Sequence, residues 1–165
     1  MQRELTQHTA GPAATPVIFG GARPEPASAE IALCSGMTVL TLAGEIAAQD
    51  LRPGARVITR DTGVATLRAV SFARVTAGVI RFKAGSLGHT RPDRDTLTLP
   101  GTLIHLRDWR ARAMRKAPQA SIAALDLVDD EFVALEGDVT QTVVTLYFDR
   151  PHVIYADGLE IAAGA

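Results

Sequence analysis

The chain has 165 residues and a formal net charge of −1, a balance that gives no electrostatic reason to expect nucleic acid or an anionic membrane as partner. Apolar residues make up 47% and charged residues 21%, which is enough apolar material for one packed domain and argues against global disorder. The single cysteine, Cys34, excludes an intramolecular disulfide, and no apolar run approaches the ~18–20 residues of a bilayer span.

Residues 1–30 are rich in Ala, Pro, Gly and Thr, with prolines at Pro12, Pro16, Pro24 and Pro26. They read as a flexible arm that buries too little apolar area to offset its chain entropy. The alternative is an edge strand at Val17 to Phe19 pinned to the domain of residues 31–165. The opening residues contain no apolar signal-peptide core, so the expected location is the cytoplasm, or outside the cell by a route independent of a signal peptide.

From Gly36 to Asp61 the sequence predicts three short strands and two tight connections. Thr38 to Leu42 ends at Ala43-Gly44, Glu45 to Ala48 follows, and Arg56 to Thr59 begins after Leu51-Arg52-Pro53-Gly54. That turn is set by Pro at its first central position and Gly at the next. Asp61-Thr62-Gly63 predicts a hairpin into a strand over Ala65 to Phe72, and Gly78 to Lys83 a further strand. Ala84 to Asp95 is polar and Gly-rich and reads as a loop. Thr96 to Leu99 alternates and leads through Pro100-Gly101 to Leu103 to Leu106. Arg107 to Lys116 lacks alternation and predicts a short helix. Ser121 to Leu127 is open between a helical turn and a strand. Phe132 to Leu135 and Thr140 to Phe148 read as two strands, His152 to Ala156 as another, and Asp157-Gly158 as a turn before a short tail. The expected class is all-β, built of short curved hairpins with at most one short helix.

The ordered series Gly36-x-x-Val39-x-Thr41-x-x-Gly44-Glu45, then Asp50-Leu51-Arg52-Pro53-Gly54-x-x-Val57-x-Thr59-Arg60-Asp61, resembles the opening of a Hint (Hedgehog/intein) domain of the compact bacterial type. Ile80-x-x-x-Ala84-Gly85-x-Leu87-Gly88, Arg94-Asp95, Pro100, Phe148-Asp149-Arg150 and Val153-Ile154-x-Ala156-x-Gly158 extend the resemblance over roughly residues 32 to 160. It implies a pseudo-twofold β fold and, in active members, self-cleavage. There a Cys or Ser at the start of the domain attacks the preceding carbonyl, and a Thr-x-x-His or Ser-x-x-His histidine protonates the leaving amine.

This sequence departs from that pattern at both points. Without gaps, the nucleophile position falls on Ala32 and the histidine position on Thr102. A second register moves them to Cys34 and to His105 of Thr102-Leu103-Ile104-His105, with Cys34 attacking the Leu33 carbonyl. It requires a shift in each of two short strands, and an odd slip turns side chains to the opposite face. The sequence therefore favours a domain that has lost self-cleavage and acts as a binding or accessory module. The alternative is an autoprocessing enzyme using Cys34, Thr102 and His105.

The remaining candidates have structural readings first. Cys34 between Leu33 and Ser35 reads as a small buried hydrophobe, and His105 as a structural histidine near a sheet edge. His89 and His152 read as solvent-facing, and Trp109 as capping the core. One cysteine and four scattered histidines match no zinc spacing, so neither metal nor cofactor is expected. Arg107 to Lys116 carries five basic residues against one acid, a candidate contact for an acidic protein partner. The arm of residues 1–30 is the other candidate for a partner.

Overall fold

Alternation of buried and outward side chains runs through most of the chain. Thr38–Thr41 buries Val39 and Thr41, Leu103–Leu106 buries Ile104 and Leu106, and Val153–Ala156 buries Ile154 and Ala156. The computed structural model describes residues 17–19 and 29–164. In chain order the elements are β1 (Val17–Phe19), β2 (Ala29–Cys34), β3 (Thr38–Thr41), β4 (Gly44–Ala47), β5 (Arg56–Thr59), β6 (Gly63–Thr66), β7 (Ala69–Phe82), β8 (Thr96–Thr98), β9 (Leu103–Leu106), α1 (Trp109–Arg115), β10 (Ala120–Ala123), β11 (Val133–Phe148), β12 (Val153–Ala156) and β13 (Leu159–Ala162). Single turns of 3-10 helix occupy Ala48–Asp50 and Ala124–Leu127.

The strands form two antiparallel sheets. One has the order β1-β7-β11-β2 with β8 also on β7; the other runs β10-β9-β13-β12-β3-β5-β6 with β4 on β3. Leu33, Val39, Phe82, Ile104, Leu146, Phe148 and Ile161 belong to one continuous core. The all-β class and its single α-helix are therefore as the sequence predicts. Val17–Phe19 pairs with Val70–Phe72 of β7, while most of the remaining arm lies outside the described residues.

Three strand expectations are corrected. Ala65 to Phe72 and Gly78 to Lys83 are not two simple strands: Gly63–Thr66 stops before Leu67, and β7 then runs unbroken for 14 residues. Phe132 to Leu135 and Thr140 to Phe148 likewise merge into the 16-residue β11. The cause is mutual pairing from Val133↔Phe82 to Tyr147↔Ala69, with an irregularity between Glu136 and Asp138 that absorbs the glycine between them. The tail after Asp157-Gly158 is also a core strand, because β13 pairs with β12 and with β9 and Leu159 and Ile161 are buried.

The β12–β13 turn explains its own sequence. Asp157 and Gly158 both have positive φ, 50° and 79°, the geometry of the two-residue hairpin that suits strand twist. A Cβ on Gly158 would come within 3.1 Å of the Asp93 backbone nitrogen, so that position needs glycine twice over.

Trp109 does not cap the core. It is 68% exposed, because α1 is held through Ala111, its buried residue. Asp108 caps the helix N-terminus by accepting the Arg110 N–H at 2.9 Å, and Lys116 ends the helix in a left-handed conformation. Arg110 stacks its guanidinium 4.9 Å from the Trp109 ring centre.

Candidate functional site

β2 runs antiparallel to β11 with Ala32 opposite Thr145 and Cys34 opposite Val143. Alternation along β2 buries Ile31 and Leu33 and leaves Ala32 half-buried. Thr102 stands immediately before β9, where its N–H donates to the Leu99 carbonyl at 3.1 Å and its carbonyl accepts the Ala124 N–H at 2.8 Å. Ala32 and Thr102 line the same cavity, of about 410 Å³, together with Glu30, Leu99, Leu103 and Ile161. The walls are mainly apolar. They offer neither a nucleophile at Ala32 nor an imidazole at Thr102.

Cys34, two residues along the same strand, lines a different cavity of about 280 Å³, with Ser35, Arg94, Thr96, Gln141 and Asp157. Its side chain is buried. Burial pushes the thiol up to about 11, and a hydrogen bond with Gln141 offsets only part of that. At neutral pH roughly one molecule in ten thousand then carries the thiolate, the form that attacks. His105 lines neither cavity; its Nδ1 lies 3.3 Å from the Ser121 hydroxyl on β10. Cys34, Thr102 and His105 are thus distributed over two cavities and a strand pair, whereas Ala32 and Thr102 line the same cavity.

Asp157 organises the Cys34 side of the domain. Its carboxylate accepts the Thr38 N–H at 3.0 Å, the Thr38 hydroxyl at 2.9 Å, an Arg94 N–H at 2.7 Å and the Thr96 hydroxyl at 2.7 Å. Burial alone would raise its pKa. The Thr38 backbone, the Thr96 hydroxyl and Arg94 outweigh that and hold it below the ordinary carboxylate range. The sequence showed Asp157 as a turn residue and Arg94 as part of the Arg94-Asp95 piece of the resemblance, with nothing to join the two.

Two further groups escaped sequence reasoning. Glu160 on β13 is buried and draws in Arg107 at 3.0 Å, Arg60 at 3.4 Å and Arg91 at 3.8 Å. His152 does not face solvent: its side chain is 5% exposed and its Nδ1 lies 2.8 Å from Asp61 Oδ2. Burial pushes the Asp61 carboxyl up, but the Val153 N–H and His152 together bring it below its usual range. His89 is exposed. Among the described residues no group of three or more His, Cys, Asp or Glu is arranged to hold a metal ion, and no helix is long and apolar enough to cross a membrane.

A family model described as Hint domain matches residues 31–162. A bacterial intein-like domain from Clostridium thermocellum, 16% identical, aligns over 81% of this chain and 99% of its own length with a TM-score of 0.57. The MchDnaB-1 intein, 12% identical, aligns over 81% and 99% with a TM-score of 0.46. At such identities the likeness is one of fold. No curated protein matches the chain.

Proposed function

The chain belongs to the Hint domain family, and from that premise we propose that it has lost self-cleavage and serves as a non-catalytic binding or accessory module. The observation that carries this reading is the shared cavity of Ala32 and Thr102. In the gapless register these are the nucleophile and histidine positions, and both residues line that cavity. The scaffold of the reaction is retained while both reacting groups are gone, since a methyl group cannot attack a carbonyl and a threonine is no general acid near neutral pH.

The competing register places the attack on Cys34. Its buried, largely protonated thiol and the separation of Cys34 from the cavity of Thr102 both weigh against it. Intact-mass analysis of an N-terminally tagged chain in the presence of a thiol tests the reading directly, because only an active Cys34 releases residues 1–33.

The partner surface we propose is the segment from Arg107 to Lys116, and the partner an acidic protein. Trp109 is exposed and flanked by the arginines of α1, the composition of an interface anchor. Surface charge alone is screened over about 8 Å at physiological salt, so the indole supplies the short-range part of the contact and the arginines its orientation.

A further inference from the structure

Asp61 and His152 line no part of the Ala32 cavity. His152 sits just before β12 with its ring edge-on to Phe148 at a centroid separation of 5.7 Å. Asp61 Oδ2 lies 2.8 Å from His152 Nδ1, the Thr62 hydroxyl 3.4 Å from the same nitrogen, and Asp61 Oδ1 accepts the Val153 N–H at 3.0 Å. A carboxylate fixed in this way directs the Nδ1 proton toward itself and leaves Nε2 for whatever enters from the other side. His152 also lines a cavity of about 400 Å³, together with Thr66, Arg68, Asp149 and Arg150. Arg68 pairs with Asp149. Arg150 has no ion-pair partner among the described residues.

We infer that this cavity binds a small tetrahedral oxyanion, phosphate or sulfate, through Arg68, Arg150 and the Nε2–H of a protonated His152. The charge balance selects an anion and couples it to a proton. With neutral His152, Arg68 and Arg150 are balanced by Asp149 and Asp61. Protonating the ring leaves one net positive charge, and Nε2 changes from an acceptor to a charged donor aimed at the anion. Arg150 gives the anion a planar donor group that no side chain already occupies. Asp61 keeps the imidazolium oriented, as a positioning residue, and the Thr66 hydroxyl is a further donor in the lining.

The test is a titration of the full chain with sodium sulfate against sodium chloride at matched ionic strength. Sulfate keeps its charge across the range, so every proton taken up belongs to the protein. The His152 Cε1–H resonance is followed by NMR and assigned by its loss in His152→Gln. Sulfate is expected to shift the His152 Cε1–H resonance saturably, which chloride does not, and to bind more tightly as the solution is made more acidic. Arg150→Gln, at an exposed position, is expected to weaken sulfate about tenfold with an unchanged thermal midpoint. Parallel titrations with inorganic phosphate and with phosphoserine distinguish a free anion from an esterified one, and a His152-linked response to either supports the site. A His152 resonance indifferent to all three anions, or an Arg150→Gln chain that binds sulfate like the parent, overturns the proposal.

Discussion

Asp157 accepts both the backbone N–H and the hydroxyl of Thr38, at 3.0 and 2.9 Å, across 119 residues of sequence. The contact ties the β12–β13 turn to the first residue of β3, and Arg94 and Thr96 complete it from the loop before β8 and from β8 itself. Asp157→Asn keeps the shape and tolerates the positive φ, but its NH2 group replaces one of the two acceptor oxygens, either the one that takes the Thr96 hydroxyl or the one that takes Thr38 and Arg94. The substitution is expected to cost about 2 kcal/mol, read as a lower urea midpoint with an unchanged slope.

The pH dependence of that loss has a defined sign. The folded Asp157 carboxyl titrates below its ordinary value, so its contribution to stability is fully present above the unfolded pKa of about 4 and disappears as pH falls through the folded pKa. The stability gap between the parent chain and Asp157→Asn is therefore constant near neutrality and narrows in acid. Urea midpoints of the two proteins across the acid range check this.

Ile161 is 1% exposed on β13 and lines the Ala32 cavity. Ile161→Ala is expected to cost about 3 kcal/mol, because the void it leaves adjoins an existing one and the two sheets cannot close over it. A chain whose last strand were a loose tail would lose almost nothing, and thermal unfolding distinguishes the two outcomes.

Trp109→Ala is expected to change stability by less than about 0.5 kcal/mol, since the indole is mostly exposed. Ala111→Leu, on the buried side of the same helix, is expected to cost about 1–3 kcal/mol by overpacking. Paired melting curves of the two variants test whether α1 is held by one small contact and offers its aromatic side outward.

What the sequence disclosed and what it concealed have physical causes. The turns at Gly44, Pro53-Gly54 and Asp157-Gly158 were legible because each needs particular local backbone chemistry, and together with the alternating runs they identified the all-β class and the family. The length of β7 and β11 was not legible, because Gly78 and Gly137 weaken a strand locally and only cross-strand pairing restores it. The burial of His152 and Glu160 was hidden for a similar reason. Each is balanced by partners distant in sequence, Asp61 for one and Arg60, Arg91 and Arg107 for the other. Trp109 misled because composition places tryptophan inside more often than out, whereas the helix carrying it makes its buried contact through Ala111. For the candidate site, the gapless register named Ala32 and Thr102, and the fold sets both on one cavity. Their chemistry was readable from two letters, but their proximity required the structure.

Installing a nucleophile and an imidazole at the two gapless-register positions makes a constructive test of the proposed loss. Ala32→Cys with Thr102→His is expected to produce thiol-dependent release of residues 1–31 on incubation with dithiothreitol, while either substitution alone releases little, because nucleophile and acid act as a unit. Intact masses of the single and double variants check this.

The most direct measurement uses the parent sequence. The chain carrying an N-terminal tag is incubated with dithiothreitol or hydroxylamine, and its intact mass is followed beside that of Cys34→Ala. The account predicts one unchanged mass for both proteins throughout. Release of the tagged segment ending at Leu33 from the parent chain, abolished in Cys34→Ala, would contradict it and assign the reaction to Cys34.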